Sequence, residues 1–243
     1  MEIVEVLEKF RRNNKIPHCS AVVLAAGNST RMGKDKTLLE IGGVPVVIRS
    51  LQAFQQHTLV DEIIVVTRED KISILADLCK KYELTKVKKV IAGGQTRAES
   101  SLAGVCAVQK NASYIAIHDG ARPLVTEKVI TDALYGARDF HAAVPAIPST
   151  DTLKCSYDGF IDGDIDRSTV FRVQTPQIFD ADLIKGALTH VIEKNLPVTD
   201  DSSAVEYTGI RTRLTEGDIN NIKLTTPEDI AAAESVLRER GII

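Results

Sequence analysis

Compact, β-branched apolar runs alternate with stretches of helical spacing along most of this chain, and that alternation leaves few folds open. Strand-like runs occupy residues 21–26 (AVVLAA), 61–67 (DEIIVVT), 88–91 (KKVI), 114–118 (YIAIH) and 142–147 (AAVPAI). Between them, residues 44–54, 70–82, 100–109 and 126–140 place apolar side chains three and four apart. Strands separated by helices read as βαβ units, hence a mainly parallel, Rossmann-like α/β sheet with helices on both faces. Right-handed crossovers put the carboxyl ends of such strands on one edge. Gly27, Gly94 and Asp119 each follow a strand end and so converge there, where open α/β sheets bind their ligands.

The first of these strand ends carries the most chemistry. It runs from Gly27 through Asn28, Ser29 and Thr30 to Arg31, Gly33, Lys34 and Lys36. A glycine-bearing loop rich in cations suits a polyphosphate, because free N–H groups bond the oxygens and the cations offset the charge. Two commoner phosphate loops are excluded. A Walker A loop has four residues between its glycines, whereas five separate Gly27 from Gly33 and Asp35 follows Lys34. The dinucleotide fingerprint needs a second glycine where Ser29 stands. An ordinary βα turn with a solvated basic helix start remains the alternative.

At 243 residues the chain has room for one large domain, read as residues 19–243 behind an amino-terminal extension, 1–18. The first sixteen residues resemble an amphipathic helix with Ile3, Val6, Leu7 and Phe10 on one face. A net charge of −3 argues against nucleic acid as a partner. No apolar stretch approaches the ~20 residues of a membrane span, and the amino terminus lacks a signal-peptide core, so the expected location is the cytoplasm. Cys19, Cys79, Cys106 and Cys155 are too scattered for a zinc site or a disulfide framework and read as reduced, mostly buried thiols. Residues 149–174 break the rhythm with β-branched segments around a Gly- and Asp-rich turn. They read as a projecting β-hairpin arm, and a lone hairpin needs something to pack on. A second copy of the chain is the economical answer; a surface loop is the other. Thr226-Pro227-Glu228-Asp229 reads as the capped start of a last helix.

Three further clusters join the basic loop. Gly93-Gly94-Gln95-Thr96-Arg97-Ala98-Glu99-Ser100 permits close backbone approach to a planar base, or is a plain turn. His118-Asp119-Gly120-Ala121-Arg122-Pro123 puts an aspartate where it meets magnesium or ribose, or caps a helix. Lys223 precedes the last helix; alone it would be an ordinary solvated lysine.

In order, AAGNSTRMG, GGQTRAES, HDGARP, STDTLK, DRSTVFRVQTPQIF, TDDSSAVE and NIKLTTPEDI resemble the motifs of the 2-C-methyl-D-erythritol 4-phosphate cytidylyltransferase family, from about Cys19 to Leu237. The resemblance implies transfer of CMP from CTP to 2-C-methyl-D-erythritol 4-phosphate, with Mg²⁺ or another divalent cation, by a homodimer joined through the arm. It implies that Arg31 and Lys36 hold the nucleotide phosphates and the transition state. Ala25, Ala26 and Gly27 would form the loop backbone over the nucleotide. Gly94, Gln95 and Ser100 would line the cytosine pocket. Asp119, with Gly120 beside it, would lie near ribose, metal and substrate. Arg97 and Arg122 would support the site, and Lys223 would aim the attacking phosphate. Thr152 and Arg167, on the arm, would reach the neighbouring subunit's acceptor site. The chain departs from the pattern at Thr37, at Gly120, where alanine is usual, and at Gln95, where an acid is usual; the lysine role could also fall on Lys34. Rival readings are a cytidylyltransferase for another polyol phosphate such as ribitol 5-phosphate, a sugar-phosphate uridylyltransferase, and a non-catalytic nucleotide-binding regulator.

Overall fold

The computed structural model describes residues 18–27 and 38–243. The amphipathic reading of residues 1–16 and the positions of Arg31, Lys34 and Lys36 lie outside the described residues.

Strand β1 (Cys19–Ala25) is followed by a short ribbon, β2 (Glu40–Ile41) and β3 (Val44–Pro45), which leads into α1 (Val46–Gln56). Then come β4 (Val60–Thr67), α2 (Ile72–Lys81), β5 (Val87–Ala92), α3 (Arg97–Ala107), β6 (Tyr114–Asp119), α4 (Glu127–Phe140) and β7 (Ala142–Pro148). The arm holds β8 (Lys154–Cys155) and β9 (Gly163–Asp164), and β10 (Phe171–Val173) and β11 (Gln177–Asp180) follow it. The chain closes through α5 (Ala181–Glu193), α6 (Asp201–Glu206), β12 (Arg213–Glu216) and α7 (Pro227–Glu239).

Among the described residues β5, β4, β1 and β6 pair in parallel, in that spatial order. Strand β11 enters antiparallel between β6 and β7, and β12 lies parallel on β7. The sheet is therefore mainly parallel, as the alternation predicts. Successive side chains of β1 point to opposite faces. Val23 packs with Leu51 of α1, Leu75 of α2 and Ile130 of α4, whereas Val22 packs with Val105 of α3, Leu188 of α5 and Val205 of α6. Burial on both faces explains why β1 is a continuous apolar run rather than an alternating one. A third cluster seats α7 through Ala233 and Leu237 on Ile41, Val46, Leu124 and Leu224. No helix among the described residues is long and apolar enough to cross a membrane.

The sequence expectations shift in four places. Val44 and Pro45 belong to the ribbon, so the first helix starts at Val46. Residues 69–71 form a separate 3-10 turn ahead of α2. Helix α3 begins at Arg97, three residues before Ser100, because Thr96 and Glu99 form a capping box that satisfies its first turn. The arm is shorter than residues 149–174: Phe171–Val173 join the central sheet, where they cover the end of β7 that β11 leaves unpaired. What projects is the β8–β9 ribbon, whose tip exposes Tyr157, Phe160 and Ile161 at 93%, 76% and 71%. Of the four cysteines, Cys19 and Cys79 are buried, Cys155 is half-buried and Cys106 is exposed, so the thiols are less uniformly buried than their composition implies.

Candidate active site

The carboxyl ends of β1, β5 and β6 open on a cleft of about 250 Å³. Its walls are Ala25–Gly27 after β1, the turn Gly94–Arg97 with Ser100 after β5, Asp119 and Ala121 after β6, and Lys223 before α7.

The β5 turn is frozen by its own hydrogen bonds. The Gly93 N–H donates to the Thr67 carbonyl at 2.8 Å and the Gly94 N–H to Ser100 Oγ at 3.2 Å. One oxygen of Glu99 accepts from the N–H groups of Gln95 at 2.6 Å and Thr96 at 2.9 Å. A Cβ on Gly93 would stand 2.6 Å from Ser100 Oγ, and one on Gly94 would run into the Glu99 side chain, so the close approach requires both glycines. From Gly93 to Thr96 every backbone N–H is thereby spent internally. Beside Gly27, by contrast, a Cβ would meet nothing within 4 Å among the described residues.

Asp119 is the electrostatic centre. Lys223 Nζ lies 2.8 Å from its Oδ2, Arg122 Nε 3.7 Å from the same oxygen, and Arg97 Nη2 3.7 Å from Oδ1. Burial alone would push the carboxyl up, but the Lys223 ammonium and the Arg97 and Arg122 guanidiniums outweigh it and hold Asp119 well below the usual carboxylate range. Arg97 also reaches Asp201 Oδ2 at 2.6 Å. Burial opposes its charge, yet Asp201 and Asp119 raise its pKa above the ordinary value. Three cations thus face two carboxylates, one of which, Asp201, is fully buried.

The supports come from distant segments. Gln177 of β11 accepts from the N–H groups of Asp201 at 3.1 Å and Ser202 at 3.0 Å, and donates to Asp200 at 2.7 Å. This holds the first turn of α6 with Asp201 turned to Arg97. Asp229 accepts from the N–H groups of Thr225 at 2.6 Å and Thr226 at 2.8 Å, which caps α7 and fixes the loop carrying Lys223. Proline at the first helical position is where the sequence places it.

The structure thus brings together Ala25, Ala26, Gly27, Gly94, Gln95, Ser100, Arg97, Asp119 and Lys223 around one cleft. Arg122 stands behind Asp119 and donates to the Asn221 carbonyl at 2.6 Å. Gly120 does not line the cleft; its N–H donates to the Leu24 carbonyl at 2.8 Å, and a Cβ would stand 3.0 Å from that oxygen. Thr152 and Arg167 are exposed on the arm and do not line the cleft of their own chain. Sequence reasoning missed Asp201, His118 and Thr175 as parts of the site. Each lies inside a quoted motif, yet a fully buried aspartate or histidine becomes legible only once its partners are placed.

His118 yields a test of folding energetics. Burial lowers its pKa from 6.5 to about 4, against the pull of Asp119. The folded state therefore prefers the neutral ring. Its stabilising effect is complete above pH 6.5 and fades as pH falls toward about 4. The full shift corresponds to about 3 kcal/mol. Urea unfolding at pH 7 and pH 4.5 is expected to show a larger loss of stability in the wild type than in a His118→Phe variant. Equal losses would assign the acid sensitivity to other groups.

The sequence profile described as 2-C-methyl-D-erythritol 4-phosphate cytidylyltransferase matches residues 19–239. The enzyme of that name from Clostridium novyi is 41% identical over 221 residues, 89% of this chain and 95% of its own length. Its counterpart from Caldanaerobacter subterraneus is 42% identical over 90% of this chain and 99% of its own length. The crystal structure of the 4-diphosphocytidyl-2C-methyl-D-erythritol synthase from Anaerococcus prevotii superposes with a TM-score of 0.82 at 32% identity, covering 92% of this chain and 97% of that one. Likeness of this extent, over the same strand ends that build the cleft, means that the chain belongs to the 2-C-methyl-D-erythritol 4-phosphate cytidylyltransferase family.

Proposed function

We propose that the protein transfers CMP from CTP to 2-C-methyl-D-erythritol 4-phosphate, releasing pyrophosphate. The observation that carries this reading is the Asp119 cluster, in which Lys223, Arg97 and Arg122 converge on one carboxylate beside a frozen glycine turn. The acceptor phosphate oxygen attacks the α-phosphorus of CTP, a new P–O bond forms, and the bond to the pyrophosphate oxygen breaks. A phosphate monoester is already an anion, so no strong general base is needed. The barrier lies in bringing two anions together, and positioned cations lower it. Lys223 guides the acceptor phosphate, Arg97 and Arg122 hold Asp119 in place, and Arg31 and Lys36 meet the triphosphate.

Asp119 is the one acid among the described residues lining the cleft, and no group of three or more metal-binding side chains stands among the described residues. That donor set suits a magnesium ion that brings its other ligands from triphosphate and water, with Asp119 as the protein contact. When bound, Mg²⁺ would neutralise triphosphate charge. The arm, with its exposed aromatic tip, fits a homodimer in which Thr152 and Arg167 complete the partner's acceptor site. A cytoplasmic location agrees with this reading.

Base choice follows from the β5 turn. With its backbone N–H groups spent, the turn's main chain offers carbonyl acceptors to a base, and the exposed Gln95 side chain adds an amide beside them. Cytosine's exocyclic amino group donates to such oxygens, whereas the 4-carbonyl of uracil opposes them and leaves them unpaired. In a pyrophosphate-release assay CTP is expected to exceed UTP by about 10²-fold or more in kcat/KM. The same assay with ribitol 5-phosphate identifies the acceptor. Equal turnover of CTP and UTP would overturn the base assignment, and a preference for ribitol 5-phosphate would overturn the acceptor.

A further inference from the structure

Two segments far apart in sequence meet at Asp119: the turn carrying Arg122 and the loop carrying Lys223. A closed circuit of hydrogen bonds ties them together, and His118 is a member of it. The His118 ring is fully buried, set edge-on to Phe54 of α1 with centroids 4.9 Å apart. Its Nε2 lies 3.1 Å from the Arg122 carbonyl oxygen, and its Nδ1 lies 3.0 Å from Thr175 Oγ1. A carbonyl can only accept, so the proton sits on Nε2. Nδ1 is then an acceptor and takes the Thr175 hydroxyl proton. The Thr175 oxygen in turn accepts from the Asp119 N–H at 3.1 Å. Arg122 Nη1 donates to the Asn221 carbonyl at 2.6 Å, and Asn221 Nδ2 donates to the Thr175 carbonyl at 2.9 Å. The path Thr175, His118, Arg122, Asn221, Thr175 is closed. A second tie runs beside it, from the Leu224 N–H to the Ala121 carbonyl at 2.9 Å.

We infer that His118 is a positioning residue which, through this circuit, holds Arg122 and Lys223 on Asp119 in the single arrangement that receives the acceptor phosphate. The inference rests on the proposed role of the Asp119 cluster. Its physical basis is directional. The site needs a group that donates at one end and accepts at the other across the width of an imidazole ring, and the neutral Nε2–H tautomer does both. Asn221, fully buried and only two residues before Lys223, relays the constraint to the lysine's own loop. An aromatic ring without nitrogens would fill the same space beside Phe54, and would take the donor from the Arg122 carbonyl and the acceptor from the Thr175 hydroxyl proton.

The test is steady-state kinetics with CTP and the polyol phosphate varied separately, on proteins whose folding is verified by circular dichroism. The variants are His118→Phe, His118→Gln, Asn221→Ala, the double variant His118→Phe/Asn221→Ala, and Lys223→Ala as reference. In His118→Phe the KM for the polyol phosphate is expected to rise about tenfold or more, the scale for losing one or two buried hydrogen bonds, with the KM for CTP changed less than about twofold. His118→Gln restores a donor and is expected to recover part of the loss. Because His118 and Asn221 act in one circuit, the double variant is expected to be little worse than the worse single variant. A parallel rise in both KM values, or additive losses in the double variant, would overturn the inference. If His118→Phe fails to fold, His118→Gln, Asn221→Ala and their double variant decide by the same criteria. Lys223→Ala separates the two levels. If it raises the acceptor KM and His118→Phe does not, the positioning role fails while the cluster's role stands. If it leaves the acceptor KM unchanged, the reading on which the inference rests has failed, and the inference with it.

Discussion

Replacing Arg31 or Lys36 with alanine is expected to lower kcat by about 10²–10³-fold, the scale for losing one preorganised partner of a developing charge. Both residues follow Gly27 closely in the sequence, and Gly27 forms one wall of the cleft. Across that cleft, Lys223, Arg97 and Arg122 are already engaged by Asp119 and Asp201. Their charge is largely committed to holding the acceptor side. Negative charge that builds on the α-phosphate and the departing pyrophosphate needs cations from elsewhere, and the basic loop is where the sequence supplies them. The melting temperature is expected to change little, as it does when a substitution removes a ligand-binding charge rather than core packing. Single-turnover rates with saturating CTP check the prediction. If Lys34→Ala is the crippling change and Lys36→Ala is mild, the lysine role belongs two residues earlier.

Much of the fold was legible because helices on both faces force a distinctive pattern on the strands between them. β1, β4 and β6 are apolar without alternation, and the carboxyl ends of β1 and β6 carry residues that apolar packing does not explain: Gly27 and Asp119. Those positions, with Gly94 and Lys223, do meet around one cleft. The helix starts were less legible. The Thr96–Glu99 capping box is a readable sequence signal, and it moves the helix start from Ser100 back to Arg97. The strands around residues 171–179 were hidden for another reason. Their register is set by pairing with β7 and, for β11, with β6, long-range contacts that no local pattern announces. Asp201 shows the same limit at the site. Its carboxylate is fully buried and sustained by Arg97, so its role depends on a partner a hundred residues away in the chain. Gly120 illustrates the reverse case. It sits in a functional motif, but its close approach to Leu24 is a packing requirement.

The arm carries the prediction with the largest contrast. The β8–β9 ribbon is too small to bury itself, and Tyr157, Phe160 and Ile161 at its tip face outward. Arg167 and Thr152 lie on the same projection, away from the cleft of their own chain. If the arm completes a neighbour's site, Arg167 meets the acceptor phosphate there. Its planar fork makes two parallel charge-assisted bonds, so even Arg167→Lys is expected to be strongly impaired. Arg31→Ala and Arg167→Ala homodimers are each expected to be nearly inactive. Mixing the two and allowing subunits to exchange gives heterodimers in which one site inherits both lesions and the other inherits neither. Activity is then expected to reappear, up to about half the wild-type level per heterodimer when the two sites work independently. Exchange can be followed with differently tagged subunits, so a failure to recover is informative. Exchange without recovery would mean that Arg167 serves the site of its own chain, and the arm would then act as a cover over that cleft rather than as a shared part of two.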